Sequence, residues 1–238
     1  MAAKEEHHFV PRFYLKNFSN NGDRASIQLY NHGISRFIAQ ASIKDQARER
    51  FFYGKDDVIE DELGKLERAV ALLFHDPITK MLPPVEQEKF NLLREFIVIQ
   101  LFRTKKATND MMNGLNHALQ TIGPVLYANW RPDLKLVHEN PALLSLDKAI
   151  LHLPLINHLA IKSIVNLTNF PFITSDAPVA LYNQWMEKSG SYVGATALAV
   201  KGLQIFLPIH PRLMYCLYDP YIYECGVCIF CTKVSHLF

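Results

Sequence analysis

The chain predicts an α+β fold: an N-terminal arm and small hairpin over 1–40, a helical region of about four helices over 56–153, and a mostly antiparallel sheet over 159–238. Three observations support this. Between 58 and 153, apolar residues recur every three or four positions. Beyond Pro154 they give way to short β-branched and aromatic runs punctuated by Pro, Asp, Asn and Gly. Few helical patterns remain there to make the crossovers that a parallel sheet needs. At 238 residues the chain can bury a substantial core, and one intertwined domain is expected rather than two.

Composition narrows the class. Apolar residues are 49% and charged residues 20%, the balance of a globular protein rather than a disordered one. A net charge of +2 does not by itself call for nucleic acid, although Arg103, Lys105 and Lys106 form a local basic cluster. MAAKEEHHF lacks the apolar core of a secretory signal, and no run approaches the roughly 18 apolar residues of a membrane span. A cytoplasmic protein without a membrane partner is expected.

In order, the arm reads HHFVPRFYLKNF over 7–18, where Phe9, Val10, Phe13, Leu15 and Phe18 can anchor a segment rich in functional groups. Pro11 stiffens it and holds Val10 extended. Asn31-His32-Gly33 between Ile27/Leu29 and Phe37/Ile38 predicts a hairpin, and 44–52 reads as a polar connection. The first helix runs from Val58 to Phe74 and ends at Asp76-Pro77, with acidic residues at 60–62 suiting its positive end. The second, Val85 to about Lys105, is apolar nearly all round over 96–102, which predicts a central helix. The third covers Thr108–Ile122, with a short helical continuation to Trp130, and the fourth Pro141–Leu153. Strands are expected around 159–167, 170–174, 179–182, 204–207 and 213–218.

All four cysteines fall between 216 and 231. Cys225-x2-Cys228-x2-Cys231, with Cys216 or His236, has a spacing compatible with zinc or an iron–sulfur cluster. The residues between them, Gly226, Val227, Ile229 and Phe230, read instead as a buried strand in which cysteine acts as a small hydrophobe. No metal ligand is assigned.

Four places break the apolar pattern: His7, His8, Arg12, Tyr14 and Lys16; Glu60 and Glu67; Gln100 and Arg103; and Thr174, Ser175 and Asp176. Glu60 and Glu67 are spaced by nearly two helical turns, about 10 Å along one face. Gln100 in an apolar helix needs a partner if buried. Each has a purely structural reading as well: a solvated helix face for the carboxylates, dipole compensation for Arg103, an Asx-turn for Asp176.

These same segments resemble a bacterial family of domains of unknown function, whose pattern is His-x-Val-Pro-x-x-Tyr-Leu-x-x-Phe near the start, a Gln-x-x-Arg helix, and Thr-Ser-Asp-x-Pro-Val in the C-terminal half. Here they are His8, Pro11, Tyr14, Leu15 and Phe18; Glu60 and Glu67; Gln100 and Arg103; and Thr174, Ser175, Asp176 and Pro178. Ala177 stands where the family usually has Asn, and ECGVCIFCTKVSHLF departs from the longer ends of its members, which implies a truncated or shifted terminus. The resemblance supplies positions and no chemistry.

Two uses fit this set. One is hydrolysis, or nucleotidyl handling, of a phosphorylated small molecule or nucleic acid. Asp176 and Glu60 would be the catalytic carboxylates, with a divalent cation as helper, and His8 the general acid or base. His7, Arg12, Tyr14, Gln100, Arg103, Thr174 and Ser175 would bind substrate. The other is a non-catalytic ligand- or peptide-binding module of a defence or toxin system. A third expectation is purely structural, an ion-pair network of Arg103, Asp176 and Glu60 that docks the arm. No P-loop, HExxH, GxSxG or GxGxxG decides between them.

Overall fold

A computed structural model of the chain describes residues 5–19, 22–55, 57–80, 87–121, 140–190 and 194–224. It has a helical centre flanked by small two-stranded ribbons and a four-stranded sheet, the α+β arrangement expected. The arm forms β1 (Glu6–His8) and a single helical turn, α1 (Arg12–Leu15), that opens directly after Pro11. The hairpin is β2 (Ser26–Asn31) with β3 (Arg36–Ser42), antiparallel, closed by a 3-10 turn over His32–Ile34. Asn31 Oδ1 accepts from Ile34 N–H at this turn, as an Asx cap does.

The stretch 44–52 is more than a connection. Its residues Arg48–Arg50 form β4, which pairs antiparallel with β1, His8 opposite Arg48 and Glu6 opposite Arg50. The ribbon is too short for a hydrophobic period. Complementary charge marks it instead: Arg48 lies 3.3 Å from Glu6, and Arg50 lies 2.9 Å from Glu5.

Helix α2 (Val58–Lys80) runs through Asp76-Pro77 rather than ending there. Pro77 has no N–H for the bond back to Leu73, a cost of about 3 kcal/mol in a helix interior. The apolar stripe of Val70, Leu73 and Phe74 continues through buried Pro77 and into Ile78, which packs on the core, so tertiary burial prevails over the local break. Helix α3 (Gln87–Phe102) is the central one, with Leu93, Phe96, Ile97, Val98 and Gln100 all buried. It stops short of the expected end because the chain re-caps at once. Thr104 Oγ1 accepts from Ala107 N–H at 3.1 Å and starts α4 (Lys105–Thr121). Ser145 and Tyr53 hydroxyls donate to the carbonyls of Phe102 and Arg103 at the end of α3. Helix α5 (Pro141–His152) packs alongside α3.

The C-terminal part contains β5 (Ala160–Val165), β6 (Ala180–Tyr182), a short helix α6 (Gln184–Lys188), β7 (Gln204–His210) and β8 (Leu213–Tyr218). Strand order is β5-β8-β7-β6 and every pairing is antiparallel. Residues 170–174 do not form the strand expected of them. Asn166 and Thr168 side chains take the local backbone groups, with Asn166 Nδ2 donating to Phe170 O at 2.6 Å and Thr168 Oγ1 to the same carbonyl, and the segment crosses the surface as a loop. Helix α6 also went unpredicted; Asn183 caps it through Met186 N–H. Cys216 is buried in β8. Cys225, Cys228, Cys231 and His236, and the continuation to Trp130, lie outside the described residues.

Candidate functional site

The arm is held on the central helices by its own backbone carbonyls. Gln100 Nε2 donates to Phe9 O at 3.0 Å, and one turn later Arg103 Nη2 donates to His8 O at 2.7 Å. Arg103 is 1% exposed and fully engaged: Nη1 lies 2.9 Å from Glu67 Oε1, and Nε donates to the Tyr53 hydroxyl at 3.2 Å. Burial opposes its charge, yet Tyr53 and Glu67 more than offset this and hold its pKa above the ordinary arginine value. His7 is also interior. Its Nδ1 accepts from Tyr53 N–H, and its ring stacks on Tyr53 at 5.7 Å.

These contacts leave His8 at the edge of a cleft of about 450 Å³ lined by Glu6, His8, Arg12, Lys44, Arg48, Glu60 and Glu67. Helical spacing brings Glu60 and Glu67 to the same wall. Glu6 and Glu67 are paired with Arg48 and Arg103. Among the described residues Arg12 and Lys44 have no carboxylate partner, and both are exposed, so the cleft offers two cations to an anionic ligand.

His8 is half-buried, and burial is the main reason its pKa falls below the ordinary value near 6.5. The charges of Arg12, Arg48 and Arg103 depress it further, and the hydrogen bond to Lys44 O works the other way. That bond, 3.1 Å from Nε2, identifies the tautomer, because a carbonyl only accepts. Nε2 carries the proton, and Nδ1 carries the basic lone pair at neutral pH.

The remaining candidates lie elsewhere. Tyr14 is buried, donates to Pro208 O at 2.5 Å and shares a 2.8 Å hydrogen bond with Thr174. Burial raises its pKa well above that of a free phenol, so it remains a neutral clamp between arm and sheet. Ser175 caps its own turn through Ala177 N–H, and Asp176 is exposed. Neither lines the His8 cleft. The neighbouring Ala177 instead borders a second cavity of about 440 Å³ with Gln100, Thr104, Val179, Leu181 and Thr196. Gln100 Oε1, buried there, has no hydrogen-bond partner among the described residues. The structure therefore brings together His8, Arg12, Glu60 and Glu67. It places Gln100 and Ala177 at a separate cavity and leaves Thr174, Ser175 and Asp176 outside the His8 cleft, and the Arg103 partner it shows is Glu67 rather than Asp176 or Glu60.

Sequence reading missed Lys44 and Arg48, which reach the cleft because β4 pairs with β1. The opposed charges of Glu5-Glu6 and Arg48-Arg50 are the signal that could have placed them. Among the described residues no group of three or more His, Cys, Asp or Glu is arranged to hold a metal ion. Of the cleft carboxylates, Glu6 and Glu67 are paired with Arg48 and Arg103, which makes Glu60 the main oxygen donor toward a divalent cation. No helix described is long and apolar enough to cross a membrane.

Comparison with known proteins finds no match among curated proteins and none among solved structures. The family described as Protein of unknown function (DUF4238) matches residues 6–230, nearly the whole chain. The chain belongs to that family.

Proposed function

We propose that the His8 cleft hydrolyses a phosphoester. The observation that supports this is a neutral, half-buried imidazole with its Nε2 proton committed to Lys44 O, in a cleft that also presents Arg12 and Lys44. Nδ1 would take a proton from an attacking water as its oxygen bonds to phosphorus. The leaving oxygen would depart with the P–O electron pair and receive that proton, while Arg12 and Lys44 offset charge on the phosphoryl oxygens. Glu60 is the carboxylate that would hold a divalent cation, which would supply Lewis-acid assistance; Glu67 has one oxygen committed to Arg103.

The test is release of p-nitrophenol from the mono- and bis-(p-nitrophenyl) phosphates, with EDTA, Mg2+ or Mn2+ present. Turnover that falls at least 100-fold in His8→Gln, with folding retained, supports the reading. Turnover that His8→Gln leaves unchanged refutes it, as does no turnover under any condition.

A binding role is the second reading, favoured by Arg12 and Lys44, which have no carboxylate partner among the described residues. It predicts a thermal shift with inorganic phosphate or nucleoside monophosphates and no chemistry.

A further inference from the structure

Gln100 uses one half of its amide and leaves the other unmet. It is fully buried on the central helix, where Nε2 donates to Phe9 O at 3.0 Å. A carbonyl only accepts, so the amide cannot be turned over: Nε2 faces the arm and Oε1 faces away from it. Among the described residues no donor reaches Oε1. An acceptor left unpaired in an apolar interior opposes folding at least as strongly as one ordinary hydrogen bond favours it. A donor supplied from outside the chain resolves that cost.

The space for one is present. Gln100 lines a cavity of about 440 Å³ that no residue of the arm borders, so this space adjoins the Oε1 side of the amide. Thr104, four residues on at the α3–α4 junction, lines it too. Its Oγ1 accepts from Ala107 N–H, and its own hydroxyl proton has no acceptor among the described residues. The other wall is apolar: Ala177, Val179 and Leu181, spaced by two as β6 begins. The two charged residues at the cavity, Lys106 and Asp110, are paired with one another.

These features select the occupant. With its two charges paired, the lining gives an anion no uncommitted cation, so the recognised group is neutral. A bare sugar would bring more hydroxyls than Leu101, Val179 and Leu181 could satisfy. The group needs an N–H for Gln100 beside an acceptor for Thr104, on a body that is otherwise apolar over its faces. A nucleobase edge carries that pair on a flat ring. The volume lies within the range of small-molecule sites and admits a base with its sugar, whereas a simple carboxamide would leave most of it empty.

We propose that the cavity between the α3–α4 junction and β6 binds the base of a nucleoside. Gln100 Oε1 accepts from a base N–H, and the Thr104 hydroxyl donates to the neighbouring carbonyl or ring nitrogen. The site is separate from the His8 cleft and does not rest on the phosphoester reading.

The experiment is calorimetric titration of the full chain with the four common ribonucleosides, which lack the phosphate that the His8 cleft would hold. Each is compared with a counterpart methylated at the base N–H, such as 3-methyluridine or N6,N6-dimethyladenosine. At least one nucleoside should bind saturably, and its N-methylated counterpart should bind about tenfold or more weakly, because Gln100 then regains no donor. For uridine, 5-methyluridine is the control for bulk and should still bind. Gln100→Leu would also remove the donor to Phe9 O and loosen the arm, so the diagnostic variant is Ala177→Leu, which fills the cavity and leaves Gln100 and Thr104 intact. It should weaken binding about tenfold or more with the melting temperature retained. His8→Gln should bind as wild type. No saturable binding up to about 1 mM would overturn the proposal and leave a trapped water as the partner of Gln100. Equal binding of the N-methylated counterpart, or of Ala177→Leu, would overturn it as well. Binding lost in His8→Gln would put the nucleoside in the other cleft and equally refute it.

Discussion

Arg103 and Glu67 form a 2.9 Å ion pair whose cationic member is 1% exposed and whose carboxylate is 25% exposed. The same guanidinium holds the His8 carbonyl and the Tyr53 phenol, so the pair fixes the backbone of the residue proposed to act as base. Arg103→Met is expected to cost about 3–5 kcal/mol, because Glu67 and the His8 carbonyl both lose their donor. Glu67→Gln keeps a carbonyl acceptor and should cost about 1 kcal/mol. Urea denaturation of the two variants gives both numbers; near-equal losses would show that the charge of Glu67 matters more than the reach of Arg103.

Tyr14→Phe removes the hydroxyl that donates to Pro208 O and exchanges a hydrogen bond with Thr174. A loss of about 1–3 kcal/mol is expected, since a buried carbonyl then lacks its donor. Thr174→Val should cost less. A double-mutant cycle should show coupling of at least about 0.5 kcal/mol, whereas strictly additive losses would mean the two hydroxyls act independently.

His8 binds its proton less tightly in the fold than in the unfolded chain. Between the lowered folded pKa and the ordinary value near 6.5, the unfolded state therefore holds more protons, and stability rises with pH. This contribution is fully present above 6.5 and is lost as pH falls through the folded value. His210, lowered by burial and by Arg212, acts in the same direction. Denaturation midpoints should fall between pH 7 and pH 5, and His8→Gln should flatten the decline in part. A His8→Gln curve as steep as wild type would contradict the assignment.

Asp176→Asn should leave the melting temperature within the range of an ordinary surface change, about ±0.5 kcal/mol. Phosphoester turnover should persist as well, because Asp176 is exposed and outside the lining of the His8 cleft. Differential scanning fluorimetry and the p-nitrophenol assay suffice. Abolished turnover with intact folding would move the reaction centre to the 174–178 loop.

Periodicity made the helices and the four-stranded sheet legible, because both bury enough side chains to impress a period on the sequence. The three-residue ribbons β1 and β4 bury too little for that, and Lys44 and Arg48 were hidden with them. Local rules make Pro77 a helix breaker and end the helix at Asp76-Pro77, an expectation the structure overturns because the stripe through Val70, Leu73 and Phe74 carries the helix on to Lys80. At the site, spacing correctly put Glu60 and Glu67 on one wall. It could not say that the Arg103 partner is Glu67 rather than Asp176, because that choice depends on how the helices cross. Nor could it show that His7 turns inward while its neighbour reaches the cleft, since alternation along β1 matters only once β4 lies beside it.

The clasp of Tyr14 on Pro208 joins positions 194 residues apart. At about 5–20 residues per second, a ribosome that has released the arm needs a further 10–40 s or so to supply its last anchor. The arm therefore gains its Pro208 contact only long after its own residues are made. A chain cut between α5 and Pro208 would carry every residue that lines the His8 cleft but lack the carbonyl that accepts from Tyr14.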